Sequence, residues 1–191
     1  LANTTGTRNT AVGANALDAN AGTNDNTAVG YNALTANTAA DNAAFGSGAL
    51  LANTTGSANT ACGSGCLDAN TTGQDNTAVG REAAGANTTG QGNTAIGQGA
   101  LAANVTGNSN TAVGQRALDA YTLNECTAIG VDALGACTTG DSNVAVGNDA
   151  AEFLTTGGSN VAVGHDSLRY SNGGYNVAVG RRALLGVSGS T

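Results

Sequence analysis

The side chains that could do chemistry in this 191-residue chain are few: four cysteines, one histidine, and thirteen aspartates and glutamates against six basic residues. The thiols come as Cys62 and Cys66, four apart around Gly63-Ser64-Gly65, and as Cys126 and Cys137. Thiols at such spacings either bond to each other or ligate a soft metal such as zinc. The histidine, His165, has no Ser or Cys nucleophile recurring beside a base and an orienting group, so the chain is not expected to be an enzyme. The carboxylates fall singly, as Asp18, Asp68 and Asp119 or as Asp25, Asp41 and Asp75, and the glycine-rich nonapeptide of calcium-binding β-rolls is absent. No catalytic residue, metal site or cofactor is expected.

What positions these residues is a repeat. Asn9-Thr10-Ala11-Val12-Gly13 returns eleven times, opening at residues 9, 26, 42, 59, 76, 93, 110, 126, 143, 160 and 176, at a spacing of 16 or 17. A period held without drift is the signature of stacked structural units. Each unit alternates two short apolar segments with two turns: Asn-Thr-Ala-Val-Gly, then Ala-Leu-x-Ala-Asn, then Thr-Thr-Gly. The first segment has β-branched residues two apart and reads as a strand. The second is too short for a helix and reads as strand or extended coil. The predicted fold is all-β: one parallel β-solenoid, or β-roll, spanning 1–191, its eleven coils stacked about 4.8 Å apart into a rod of roughly 50 Å.

Composition agrees. There are 30 glycines, no proline, methionine or tryptophan, and 3% aromatic residues, so burial must come from many small contacts in a thin layer rather than from one thick core. The net charge of −7 argues against nucleic acid, which requires a basic stripe. No apolar run approaches the ~20 residues of a membrane-spanning helix.

The copies also differ from one another in an informative way. The motif's third position is always Ala: Ala11, Ala28, Ala44, Ala61, Ala78, Ala95, Ala112, Ala128, Ala145, Ala162 and Ala178. Its fourth is apolar but varies, from Val12 through Phe45, Cys62 and Ile96 to Val179. Successive strand residues face opposite sides, and a solenoid buries only its inward face. The expectation is that Thr and Val point inward, opposite Leu17, Leu34, Leu50, Leu67, Leu101, Leu118, Leu134 and Leu168, while the alanines form a tight contact with a second chain. The reverse assignment also buries both faces.

The repeat phase places Cys126 and Cys137 where other coils carry Asn, at the outer ends of facing segments, and Cys62 with Cys66 within one coil. Disulfides Cys62–Cys66 and Cys126–Cys137 are expected, and they would place the protein outside a reducing cytosol. Asn9 through Asn110 and Asn20 through Asn104 should stack as two amide ladders at the bends. Asn3, Asn53, Asn70, Asn87 and Asn104 fall in Asn-x-Ser/Thr sequons, as the repeat itself dictates.

The Asn-Thr-Ala-Val-Gly and Asn-Val-Ala-Val-Gly copies, each followed by a polar turn and another small apolar segment, resemble the head repeats of trimeric autotransporter adhesins. They are also similar to repeats in phage tail-fibre-like proteins and bacterial surface proteins. The resemblance implies a left-handed parallel β-roll, three chains side by side as a homotrimer, and attachment at a cell or virion surface, with a cell-surface or glycan receptor as partner. The expected function is a non-enzymatic structural or adhesive rod of a surface fibre, filament or tail fibre. Its alternative is an ice-binding or other ligand-binding solenoid using Thr10, Thr27, Thr60, Thr77, Thr94 and Thr111 as an outward ladder. Since residue 1 is Leu and the repeat phase runs to both ends, the chain is expected to be a fragment or mature part of a longer one, or to stack end to end into filaments.

Overall fold

The computed structural model describes residues 4–186. Eleven strands of three residues lie in sequence order in one parallel sheet: β1 (Thr10–Val12), β2 (Thr27–Val29), β3 (Ala43–Phe45), β4 (Thr60–Cys62), β5 (Thr77–Val79), β6 (Thr94–Ile96), β7 (Thr111–Val113), β8 (Thr127–Ile129), β9 (Val144–Val146), β10 (Val161–Val163) and β11 (Val177–Val179). Like residues meet like in the register, as at Ala11 and Ala28, Ala95 and Ala112, Ala162 and Ala178. The chain is a parallel β-solenoid, with no helix among the described residues.

The strands stop after three residues because a glycine follows each one. At Gly97 the backbone φ is +133°, and a Cβ would stand 2.4 Å from the carbonyl oxygen of Gly114 in the next coil. Positive φ and close backbone approach coincide here, as they also do at Gly114 and Gly130, and both call for glycine.

The second segment is not a strand. In the third coil, Ala49 donates to Gly46, Leu51 to Gly48 and Asn53 to Leu50, at 3.2–3.3 Å, so three turns follow without a break. Gly48 and Leu50 have φ of +69° and +51°, the positive value that a type II turn needs at its third residue. A pleated strand would send Ala49 and Leu50 to opposite sides; the turn run curls inward and buries both. A leucine in the left-handed region costs roughly 1–2 kcal/mol. Coil-to-coil backbone bonds offset that, such as Gly48 to Tyr31 at 2.9 Å and Leu50 to Cys66 at 3.0 Å.

The interior is therefore one layer. The strand-centre alanines face buried pairs of the turn wall, mostly Ala-Leu as at Ala16-Leu17, Ala117-Leu118 and Ala133-Leu134, and nearly all are 0–2% exposed. Two columns of buried asparagine close the layer. In the first, Asn76 Nδ2 donates to Gly90 O at 2.9 Å, while its Oδ1 accepts from Asn93 N at 3.0 Å. In the second, Asn70 donates to Asn53, Asn87 to Asn70 and Asn104 to Asn87, at 2.7–3.0 Å. Most of these buried amides find a partner in the coil above or below, while Asn20 is held by Thr23 of its own coil, so the buried polar groups are satisfied as they must be.

Candidate assembly face

The sheet's outer surface is the candidate site, and the structure inverts the expected assignment of its two sides. Ala28, Ala44, Ala61, Ala78, Ala95, Ala112, Ala128, Ala145, Ala162 and Ala178 are buried inside their own coil, and Ala11 is partly buried against the same core. None of the eleven forms an outward contact strip. Their constancy has an intrachain cause: the leucines of the turn wall fill the coil opposite them, leaving room for a methyl group. Threonine and valine point outward instead, which is why that column tolerates Phe45, Cys62 and Ile96.

Outward, two columns run the length of the sheet two residues apart. One begins with Thr10 and Thr27, continues through Thr60, Thr77, Thr94, Thr111 and Thr127, and ends in Val144, Val161 and Val177, with Ala43 interrupting it. The other is apolar throughout: Val12 is 56% exposed, Phe45 43%, Ile96 39% and Val179 68%. The in-register pairing, Val79 beside Ile96 and Ile96 beside Val113, makes the second column one unbroken ridge.

The four cysteines are free thiols. Cys62 belongs to the outward column, whereas Cys66 is buried and donates to Ala78 O at 3.2 Å. They lie on opposite sides of the coil wall, so the expected Cys62–Cys66 bond is not formed. Cys126 and Cys137 do face each other across the coil interior, but they are not bonded either: both donate to one acceptor, the carbonyl of Gly140, at 3.3 and 3.5 Å. In the fourth coil Asn59 and Asn70 hold Gly73 O in the same way. Cys126 is a substitute rung of the first ladder, its N–H donating to Asn110 and its sulfur accepting from Asn143 N, and Cys137 replaces the asparagine that shares the turn carbonyl in other coils. Burial pushes the Cys66 and Cys137 thiols up to about 12, and raises Cys126 as well, so they stay protonated donors.

Four sequon asparagines, Asn53, Asn70, Asn87 and Asn104, are fully buried in the second ladder and present no amide for glycosylation; Asn3 lies outside the described residues. Asp25, Asp41 and Asp75 each occupy the left-handed region, at φ 57–63°, a conformation that Asp tolerates better than most residues. His165 Nδ1 lies 2.9 Å from Asp166, and atoms of Asp149, His165 and Asp166 fall within 4.8 Å of one another. Arg169 and Arg182 also contact Asp166, at 2.6 and 3.4 Å. Guanidinium groups so close oppose a bound cation and make this an ion-pair network.

Sequence reasoning missed the stacked rings of Phe153 and Tyr170, 5.2 Å apart and 7° from parallel. Their signal was available: Ala19, Ala36, Ala52, Ala69, Ala86, Ala103, Ala120 and Ala136 hold that turn position in eight preceding coils. No family model, curated protein or solved structure matches the chain.

Proposed function

We propose that the chain is a non-enzymatic structural or adhesive rod of a surface fibre, filament or tail fibre, in which three copies pack side by side through their sheet faces. The observation that carries this reading is the continuous outward ridge of Val12, Val29, Phe45, Val79, Ile96, Val113, Ile129, Val146, Val163 and Val179. With its threonine neighbours the strip covers on the order of 500 Å², at the upper end of what a monomer leaves open to water. Such a face, flat and repeated in register, suits a copy of itself placed parallel to it. The number of chains, the hand of the roll and a location outside the cell or virion rest on the resemblance of the Asn-Thr-Ala-Val-Gly copies to adhesin heads.

Sedimentation equilibrium tests it. Wild type is expected to be trimeric at micromolar concentration, and Val79→Glu with Ile96→Glu, two half-exposed outward positions, is expected to give a folded monomer. A wild-type monomer at every concentration overturns the reading.

One observation favours a second reading. The threonine column does point outward, as an ice-binding face would need. It ranks lower because Ala43, Val144, Val161 and Val177 remove the hydroxyl, and because the neighbouring ridge carries side chains as unlike as Phe45 and Cys62. A monomer with measurable thermal hysteresis would put it first.

A further inference from the structure

The turn wall carries a cleft of about 210 Å³, lined by Arg116, Asp119, Asp132, Gly135, Ala136, Glu152 and Phe153. Its origin is in the repeat. One turn position holds Asp119, Gly135 and Glu152 in three successive coils, so the missing side chain at Gly135 opens a notch between two carboxylates. The next position holds Ala120, Ala136, Phe153 and Tyr170. One side of the Phe153 ring stacks on Tyr170. The other lies toward Ala136, where the column drops to methyl groups and the cleft begins.

We propose that this notch binds an organic cation, a guanidinium or primary ammonium group, against Phe153 with Asp119 as its counter-charge. Three features select that chemistry. The lining carries three carboxylates against one guanidinium. Two of the carboxylates already have arginine partners, Asp132 with Arg116 at 2.7 Å and Glu152 with Arg169 at 2.5 Å. Asp119 is the lining carboxylate without an ion pair among the described residues. The third feature is an internal precedent: the Arg169 guanidinium sits 5.6 Å from the Phe153 ring centre and 5.5 Å from that of Tyr170 while it contacts Glu152, Asp149 and Asp166. A ring beside carboxylates attracts a cation by its quadrupole as well as by charge. The cleft offers the same combination on the Ala136 side. Partial burial raises the Asp119 carboxyl above its usual range, opposed by Arg116 and reinforced by Asp132, and a bound cation relieves that desolvated charge. The site lies on the turn wall, away from the sheet face, and does not depend on how many chains associate.

The test is an NMR titration of the full labelled chain with N-acetyl-arginine amide and with butylammonium, using methyl α-glucoside as the neutral probe. Saturable shifts at Asp119, Ala136 and Phe153 are expected with both cations and none with the glucoside. Phe153→Ala installs the residue found at that position in eight other coils, so the fold should persist, while binding weakens by roughly three- to tenfold. Asp119→Asn, nearly isosteric, should weaken binding and reduce its sensitivity to salt. Arginine amide binding without butylammonium would assign the site to a guanidinium and still support it. Absence of saturable shifts with either cation, binding unchanged in both variants, or binding of the glucoside in preference to the cations overturns the proposal.

Discussion

Single residues in this chain are constrained by the coil above and the coil below more than by their neighbours in sequence. Gly97 is one residue where the constraint can be read directly. An added methyl would meet the carbonyl oxygen of Gly114 at 2.4 Å, and the φ of +133° lies where L side chains are strained. Both sides of the clash are backbone, so neither can rotate away. Gly97→Ala is therefore expected to destabilise the solenoid by more than about 1 kcal/mol, whereas the same change at a compatible helix or strand site stabilises by up to about that amount; the cause is that the methyl forces the sixth and seventh coils apart. Thermal unfolding compared with Gly48→Ala separates the two effects, because a methyl added at Gly48 would have nothing within 4 Å and the φ there is only +69°. If Gly97→Ala were no worse than Gly48→Ala, close approach would not be the reason for the glycine.

At the scale of elements, the turn wall sets the thickness of the solenoid, and its leucine column is the thickest part of the core. Eight coils bury a leucine there, while the fifth and ninth bury Ala84 and Ala151 in the same left-handed conformation, φ 48° and 52°. Ala84 sits between Leu67 and Leu101 in a stack whose other members accept the larger side chain. Ala84→Leu is expected to stabilise by about 1 kcal/mol, whereas Leu101→Ala should destabilise by about 2–3 kcal/mol; chemical denaturation reads both. The opposite sign for Ala84→Leu would mean that the fifth coil has closed around the smaller residue. This wall is also where the sequence was least legible. Period, strand positions, amide ladders and buried leucines could be read from Asn9-Thr10-Ala11-Val12-Gly13 and its copies, because repetition separates constrained positions from free ones. Direction could not. Constancy at Ala11 through Ala178 was equally consistent with a partner chain and with a leucine across a narrow coil, and only the turn run at residues such as Gly48 and Leu50, which swings Leu50 inward, decides between them. The cysteines failed for a related reason: facing positions for Cys126 and Cys137 were legible, but the carbonyl of Gly140 that holds both thiols is a backbone group with no signal of its own.

For the whole molecule, the question is what covers the outward ridge, and Cys62 is placed to report it. Cys62 is exposed on the sheet face between Phe45 and Val79, while Cys66, Cys126 and Cys137 are buried. The thiolate is the reactive form, and burial raises the three interior thiols away from it, so a membrane-impermeant aromatic disulfide should reach them only when the coils unfold. If the sheet faces pack together, the native wild-type assembly should show no rapidly reacting thiol. The Val79→Glu, Ile96→Glu variant, expected to be monomeric, should show one per chain, and denatured protein should show four. Cys62→Ser must abolish the single rapid reaction and leave the assembly intact, which ties the signal to that residue. A wild-type trimer that still reacts once per chain would mean that association uses another surface, and the ridge from Val12 to Val179 would then be open to a different occupant.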